Sequence, residues 1–277
     1  MKTIGYLPLL TYPDATSVQA VEAAVAMAAA TGIDIDATVY AVDLPRAAST
    51  FGNMIISVSE MIQKAENDSR EHAERLAVAV RDGATARGLA VSVETRTAPP
   101  VEAVAAAAAE ARYRDVAIVP WAEDNLTTRE MAEAIIFESG RPALLVPRSH
   151  TPSAIDHVAI AWDGSRVAAR ALADARAVFP RAMRLTVMTV GDEKRLESGI
   201  GDRLVDSLSR RGLQARHHAL TLGSRPIAVA LQDACREVGA GVLAMGGYGH
   251  SRLRDFLVGG ATKGVLAALS VPVLMSH

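Results

Sequence analysis

One succession of segments runs twice along the chain, and it constrains the fold more than any single motif does. In the first pass KTIGYLPLL, DATVYAVDL, LAVSVETRTA, RDVAIVPW and PALLVPR read as short strands, the fourth ending at Pro120. Between them lie four helical stretches. SVQAVEAAVAMAAATG is alanine-rich and closed by Gly32, and a long amphipathic stretch runs from about Met54 to Arg87. PPVEAVAAAAAEARY places prolines at a helix start, and TTREMAEAIIFESG follows the fourth strand. After the polar, proline-containing stretch RSHTPSAID the order begins again. HVAIAWD, RLTVMTV, LQARHHALTLG, GVLAMGG and VPVLMSH are its strands, and SRVAARALADARAVF, KRLESGIGDRLVDSLSRRG, PIAVALQDACREVGA and GGATKGVLAAL its helices.

Apolar strands alternating with helices imply a parallel sheet covered on both faces. The repetition implies an internal duplication. The expected architecture is therefore α/β: two tandem doubly wound domains, each with a five-stranded, mostly parallel sheet and helices on both faces. The first spans residues 1–149 and the second 154–277, with the boundary at Ser149 to Ala154.

Composition narrows the class. Hydrophobic residues make up 50% of the 277, enough for a sizeable core. Lys and Arg total 29 against 31 Asp and Glu, and aromatics are 4%, which argues against a nucleic-acid partner. The lone Cys235 cannot form an internal disulfide and reads as a small core residue. MKTIGYLPLLTYPD has too short an apolar run for a signal peptide, and no stretch reaches the roughly 20 apolar residues that span a bilayer. The expectation is a cytoplasmic protein without a membrane partner.

In doubly wound sheets ligands bind beyond the carboxyl ends of the strands, where strand order reverses. The stretch AMGGYGHSRLRDFLVGGATKG, Ala244 to Gly264, follows the fourth strand of the second half. Gly246, Gly247 and Gly249 suit a tight loop with exposed N–H groups. Gly259 and Gly260 stand at the start of the next helix, where free N–H groups and the helix dipole favour an anion. Asp163, in AWDGS after the first strand, faces the same crevice, and its carboxylate can accept from a ribose or base.

With Met245 ending the strand, the spacing Gly246-x2-Gly249-x9-Gly259 and Asp163 resemble the universal stress protein family, and PVLMSH and PALLVPR are similar to its last strand. The resemblance covers the whole chain as two tandem domains and implies strand order 3-2-1-4-5 in each. Members with this glycine pattern bind ATP. By resemblance, Asp163 contacts adenine or ribose, Ala161 and Trp162 line the base pocket, and Val190 packs on adenine. Met245 and Gly246 lie under the nucleotide, Gly249 meets the phosphates, and Gly259, Gly260, Ala261 and Thr262 close over them. One departure is Gly260, which stands where the family usually has serine or threonine, so one phosphate-facing hydroxyl is lost.

Each of these residues also has a purely structural reading. Asp163 in DGS suits a turn or helix cap, Gly246 and Gly247 suit tight packing of strand against helix, and Thr262 suits an ordinary first turn. His250, Arg252 and Arg254 either steer phosphate or face water. Lys263 lacks the Gly-Lys-Ser/Thr setting of a P-loop. His217 and His218, adjacent in a strand, point to opposite faces and cannot chelate one metal together.

The first half serves as an internal control. Asp14 in TYPD echoes Asp163 at an offset, but Pro120, without an N–H, stands where Gly246 does. Glu123 and Asp124 repel phosphate, and the interval from Val119 to Pro142 is shorter than that from Met245 to Pro272. The first domain therefore reads as a copy with a degenerate nucleotide site, and Met54, Ile55, Ile56, Met61 and Ile62 either pack into the core or cover a crevice or contact surface.

The reading is a stress-response regulatory protein that binds ATP, with Mg2+ on the triphosphate, in its second domain. No general base stands beside the glycine loop, so any ATP hydrolysis is slow. Apolar terminal strands suggest a homodimer, and a protein partner is unspecified. The alternatives are a nucleotide-free interaction scaffold and a slow ATPase.

Overall fold

The computed structural model describes residues 2–45, 52–122, 125–150, 154–191, 196–247 and 260–277, with the backbone alone at 52–57 and Gly260. The first half runs β1 (Thr3–Leu10), α1 (Val18–Thr31), β2 (Ile33–Val42), α2 (Gly52–Thr85), β3 (Val91–Ala98), α3 (Pro100–Ala111), β4 (Val116–Trp121), α4 (Leu126–Ala134) and β5 (Ala143–Pro147). A π-helical turn, Ile135–Ser139, extends α4. The second half runs β6 (His157–Ala161), α5 (Arg166–Val178), β7 (Arg184–Val190), α6 (Ile200–Ser209), β8 (Gln214–Leu220), α7 (Ile227–Glu237), β9 (Val242–Gly246), α8 (Gly260–Ala267) and β10 (Val273–Ser276).

Local chemistry sets these boundaries. Ser17 caps α1 by accepting from the Ala20 N–H, and Gly32 closes the helix at φ 71°, a left-handed conformation that a Cβ disfavours. Pro100 opens α3, where its missing N–H is no loss. The strand-like runs are buried almost throughout in β4, β5 and β9, as strands covered on both faces must be.

The strand order is β3-β2-β1-β4-β5-β10-β9-β6-β7-β8. Each half thus has the order 3-2-1-4-5, but the expectation of two separate five-stranded sheets is corrected: the ten strands form one continuous sheet. The join is antiparallel between β5 and β10, with Val273 opposite Leu145, Leu274 opposite Leu144 and Met275 opposite Ala143. Every other pairing is parallel. The physical reason lies in the two terminal strands. Both are wholly buried, and an unpaired edge would leave their N–H and C=O groups without partners.

The sheet separates two apolar layers. Side chains of α1, α2, α5 and α6 pack with one face, centred on residues such as Val21, Leu76, Leu172 and Leu208. Those of α3, α4, α7 and α8 pack with the other, centred on Ala107, Met131, Leu231 and Val265. Leu144 and Leu274 meet at the join, so they are equivalent positions of the two halves. Stepping outward through the parallel registers then makes Pro120 the counterpart of Gly246, Pro8 that of Ala161 and Tyr40 that of Val190. The two halves run in opposite directions, so their carboxyl-end crevices open at opposite ends of the sheet.

Candidate functional site

In the second half the order reverses at β6, with β9 on one side and β7 on the other. Ala161 ends β6, Val190 ends β7, and Met245 lies one residue before the end of β9. Met245 belongs to the apolar layer under α7 and α8, and Ala161, Val190 and Ala261 pack against that same layer while partly exposed. Four of the sequence-predicted residues are thus gathered on one side of the sheet beside the reversal. Gly260 opens α8 at the same end, and Thr262 is buried in its first turn.

Trp162 goes elsewhere. Its N–H donates to the Met188 carbonyl at 2.8 Å, and its ring packs with the opposite layer, under α5 and α6. Its indole Nε1 is buried there without a hydrogen-bond partner. Alternation along a strand places neighbours on opposite faces, so Ala161 and Trp162 do not share a pocket wall. That signal was present in the sequence.

Asp163 stands in the β6–α5 connection. Its Oδ1 accepts from the Ser165 N–H at 2.9 Å across Gly164, which has φ 76°. Ser165 in turn caps α5 by accepting from the Ala168 N–H at 3.2 Å. The carboxylate is exposed and therefore within reach of a ligand while it holds the turn.

Gly246 has a packing role whatever else it does. A Cβ there would lie 2.8 Å from the Val167 carbonyl carbon and 2.9 Å from the Ala168 nitrogen, both backbone atoms of α5. Gly247 is roomier, 3.2 Å from side-chain atoms of Ile136 and Met275. Gly249, Gly259, His250, Arg252 and Arg254 lie outside the described residues, as do Glu123 and Asp124 of the first half.

The first-half crevice is built differently. Tyr40, the counterpart of Val190, is buried in the apolar layer with its hydroxyl 3.0 Å from that of Tyr6. Burial drives the Tyr6 phenol far above its ordinary range, so both hydroxyls stay neutral. The start of α4 is occupied by Asn125, whose Oδ1 accepts from the Thr128 N–H at 2.9 Å while its Nδ2 donates to the Asp14 carbonyl at 3.1 Å.

Two further groups carry reactive side chains. His217 places Nδ1 2.8 Å from Asp202 Oδ1 and Nε2 2.8 Å from Thr189 Oγ1. Such a chain of contacts is the wiring of a hydrolytic triad, but its burial runs the wrong way. Thr189 is 7% exposed, while the Asp202 side chain is 70% exposed. A nucleophile must meet substrate and its orienting carboxylate is the buried member, so this set braces α6 against the edge strand β8. The three residues are too far apart in sequence for local pattern to reveal them. Cys235 is buried, and burial pushes its thiol up to about 12, leaving little thiolate at neutral pH. Among the described residues no group of three or more His, Cys, Asp or Glu could hold a metal ion. Nor, among them, is any helix long and apolar enough to cross a membrane.

Comparison with solved structures matches this architecture. A universal stress protein from Archaeoglobus fulgidus superposes with a TM-score of 0.62 at 17% identity, covering 98% of this chain and 95% of that one. A protein from Pseudomonas aeruginosa, provisionally described as a universal stress protein, gives 0.51 at 17% identity, covering 98% and 92%. No protein-family model matches the sequence, and no curated protein does. The likeness runs through both halves, and the chain has the fold of these universal stress proteins.

Proposed function

We propose that the chain is a tandem member of the universal stress protein family, with domains at 1–149 and 154–277, and that the second binds an adenine nucleotide, ATP foremost. The observation that carries this reading is the gathering of Ala161, Val190, Met245 and Ala261 beside the strand-order reversal, with the start of α8 at the same end. These small, half-covered apolar surfaces suit the face of a base. In this reading Asp163 accepts from the base or ribose and Met245 and Gly246 lie beneath the nucleotide. Gly249 meets the phosphates, and Gly259, Gly260, Ala261 and Thr262 close over them. Trp162 contributes from the far side of the sheet, by fixing the end of β6. Mg2+ enters on the triphosphate, since the protein supplies no carboxylate cluster among its described residues.

The first half supports the assignment by contrast. Its counterpart of Val190 is Tyr40, whose ring fills the space a base would need, and Pro120 offers no N–H where Gly246 has one. The β5–β10 join uses both terminal strands within one chain. A homodimer of the whole chain therefore needs another surface.

Calorimetric titration with ATP and AMP, with and without Mg2+, tests the reading. Wild type binds ATP saturably. Asp163→Ala weakens it about tenfold, the effect of losing a hydrogen bond to a charged acceptor, and Gly249→Glu abolishes it. No heat up to millimolar nucleotide would leave the nucleotide-free scaffold, a reading favoured by the packing role of Gly246. Turnover of bound ATP, followed by phosphate release, distinguishes a slow ATPase from a binder.

A further inference from the structure

β9 ends at Gly246, and Gly247 carries the chain on from Met245 and Gly246, the two residues placed beneath the nucleotide in the proposed site. The Gly247 N–H donates to the Ser276 carbonyl at 2.7 Å, and its own carbonyl lies 3.0 Å from Nδ1 of His277. A carbonyl only accepts, so the imidazole carries a proton on Nδ1 and donates it. Two residues of the first half stand against this corner. Ile136 Cγ2 lies 3.2 Å from where a Cβ on Gly247 would sit. The Phe137 ring meets the His277 ring edge-on, with centroids 5.1 Å apart and planes at 68°. We propose that His277, held by Phe137 of the first half, is a positioning residue for the nucleotide site of the second: it fixes the Gly247 carbonyl, and with it the direction in which the chain leaves β9. This rests on nucleotide binding in the second half and adds the first half to that site.

The contrast between the halves carries the proposal. The registers that make Pro120 the counterpart of Gly246 also make Trp121 the counterpart of Gly247 and Pro147 that of His277. The Trp121 carbonyl takes an ordinary backbone hydrogen bond, from the Arg148 N–H at 3.1 Å. The Gly247 carbonyl takes one from a side chain instead, and the Pro147 side chain has no donor with which to do the same. The clamp therefore belongs to the half that keeps the glycines. Its other jaw is the π-helical turn at Ile135–Ser139. A π turn holds one residue more than an α turn, and such turns gather at functional sites. Here it brings two consecutive residues to one corner, Ile136 buried and Phe137 43% exposed. Edge-to-face contact is a preferred arrangement of aromatic rings, and it sets the plane in which the imidazole points at Gly247. The turn is tied to the second half beyond its far end as well, where Arg170 of α5 donates to the Gly140 carbonyl at 3.2 Å.

Calorimetry with ATP on the intact protein, beside the melting temperature of each variant, tests the inference. His277→Phe keeps a ring against Phe137 and loses the donor, so ATP binds about fivefold more weakly, the effect of one hydrogen bond. His277→Asn puts an amide N–H where Nδ1 stands and restores affinity to within about twofold of wild type. Phe137→Ala, a change in the other half, weakens ATP about threefold through loss of the ring contact. Tyr113→Ala, at another exposed aromatic of the first half, changes nothing. All four melt within about 2 °C of wild type. The inference is overturned, with nucleotide binding intact, if wild type binds ATP and either His277→Phe or Phe137→Ala binds it equally well. It is overturned too if His277→Asn is as weak as His277→Phe. If wild type binds no ATP, the nucleotide reading falls, and this inference falls with it.

Discussion

His157 opens β6 with its ring buried and its Nε2 2.8 Å from Thr186 Oγ1. The same oxygen accepts from Arg216 Nε at 3.0 Å, so the threonine proton is free to point at an unprotonated imidazole nitrogen. The other ring nitrogen is buried without a partner. Burial, followed by the charges of Arg184 and Arg216, holds the histidine below its ordinary value near 6.5. The sign follows from linkage. Below about pH 6.5 the unfolded chain takes up a proton that the folded chain refuses, so this residue's contribution is complete above that pH and is lost as pH falls through it. His157→Gln keeps a polar contact to Thr186 and cannot titrate. Urea unfolding measured from pH 8 to pH 5 should show a shallower acid decline for the variant. Parallel curves for variant and wild type would refute the assignment.

At the level of elements, glycine is where reading a motif and reading a structure diverge. The sequence presents Gly246, Gly247, Gly249, Gly259 and Gly260 as one phosphate-binding pattern. In the structure Gly246 is demanded by the α5 backbone, which approaches the end of β9 too closely for any Cβ. Gly246→Ala should therefore destabilise the fold by about 1–3 kcal/mol, the usual penalty of overpacking, as read from the urea midpoint. Gly247→Ala should cost less, because its neighbours are side chains that can move. Equal costs would show that α5 yields. The strands and most helices were legible because their apolar runs are continuous and their boundaries carry Ser17, Gly32 and Pro100. The π-helical turn at Ile135–Ser139 was not, since IIFES reads as ordinary helix. Nor was the burial of Tyr40 at the position equivalent to Val190, which depends on register between strands. Asp14 was legible as an echo of Asp163, but the Asn125 amide that ties its carbonyl to the start of α4 required packing to be seen.

For the whole molecule, the least legible feature is the join. PALLVPR and VPVLMSH each read as a terminal apolar strand, and nothing local says that they pair with each other. What decides it is the need to cover two edges at once. Leu144 meets its own counterpart Leu274, so the contact is self-complementary in the manner of a two-fold interface. A chain cut at the proposed boundary would lose that cover. Residues 1–150 alone would expose β5, five buried residues with an open edge, and the surface best shaped to cover it is β5 of a second copy, Leu144 against Leu144. Light scattering after gel filtration should therefore find the fragment dimeric at about 50 µM, with helical content retained by circular dichroism. Leu144→Lys places two charges in contact at the centre of that pairing and should return a monomer. A folded wild-type fragment that stays monomeric would mean that the join is held by helix contacts, among them the Arg129 guanidinium donating to the Leu266 carbonyl between α4 and α8, rather than by the strands.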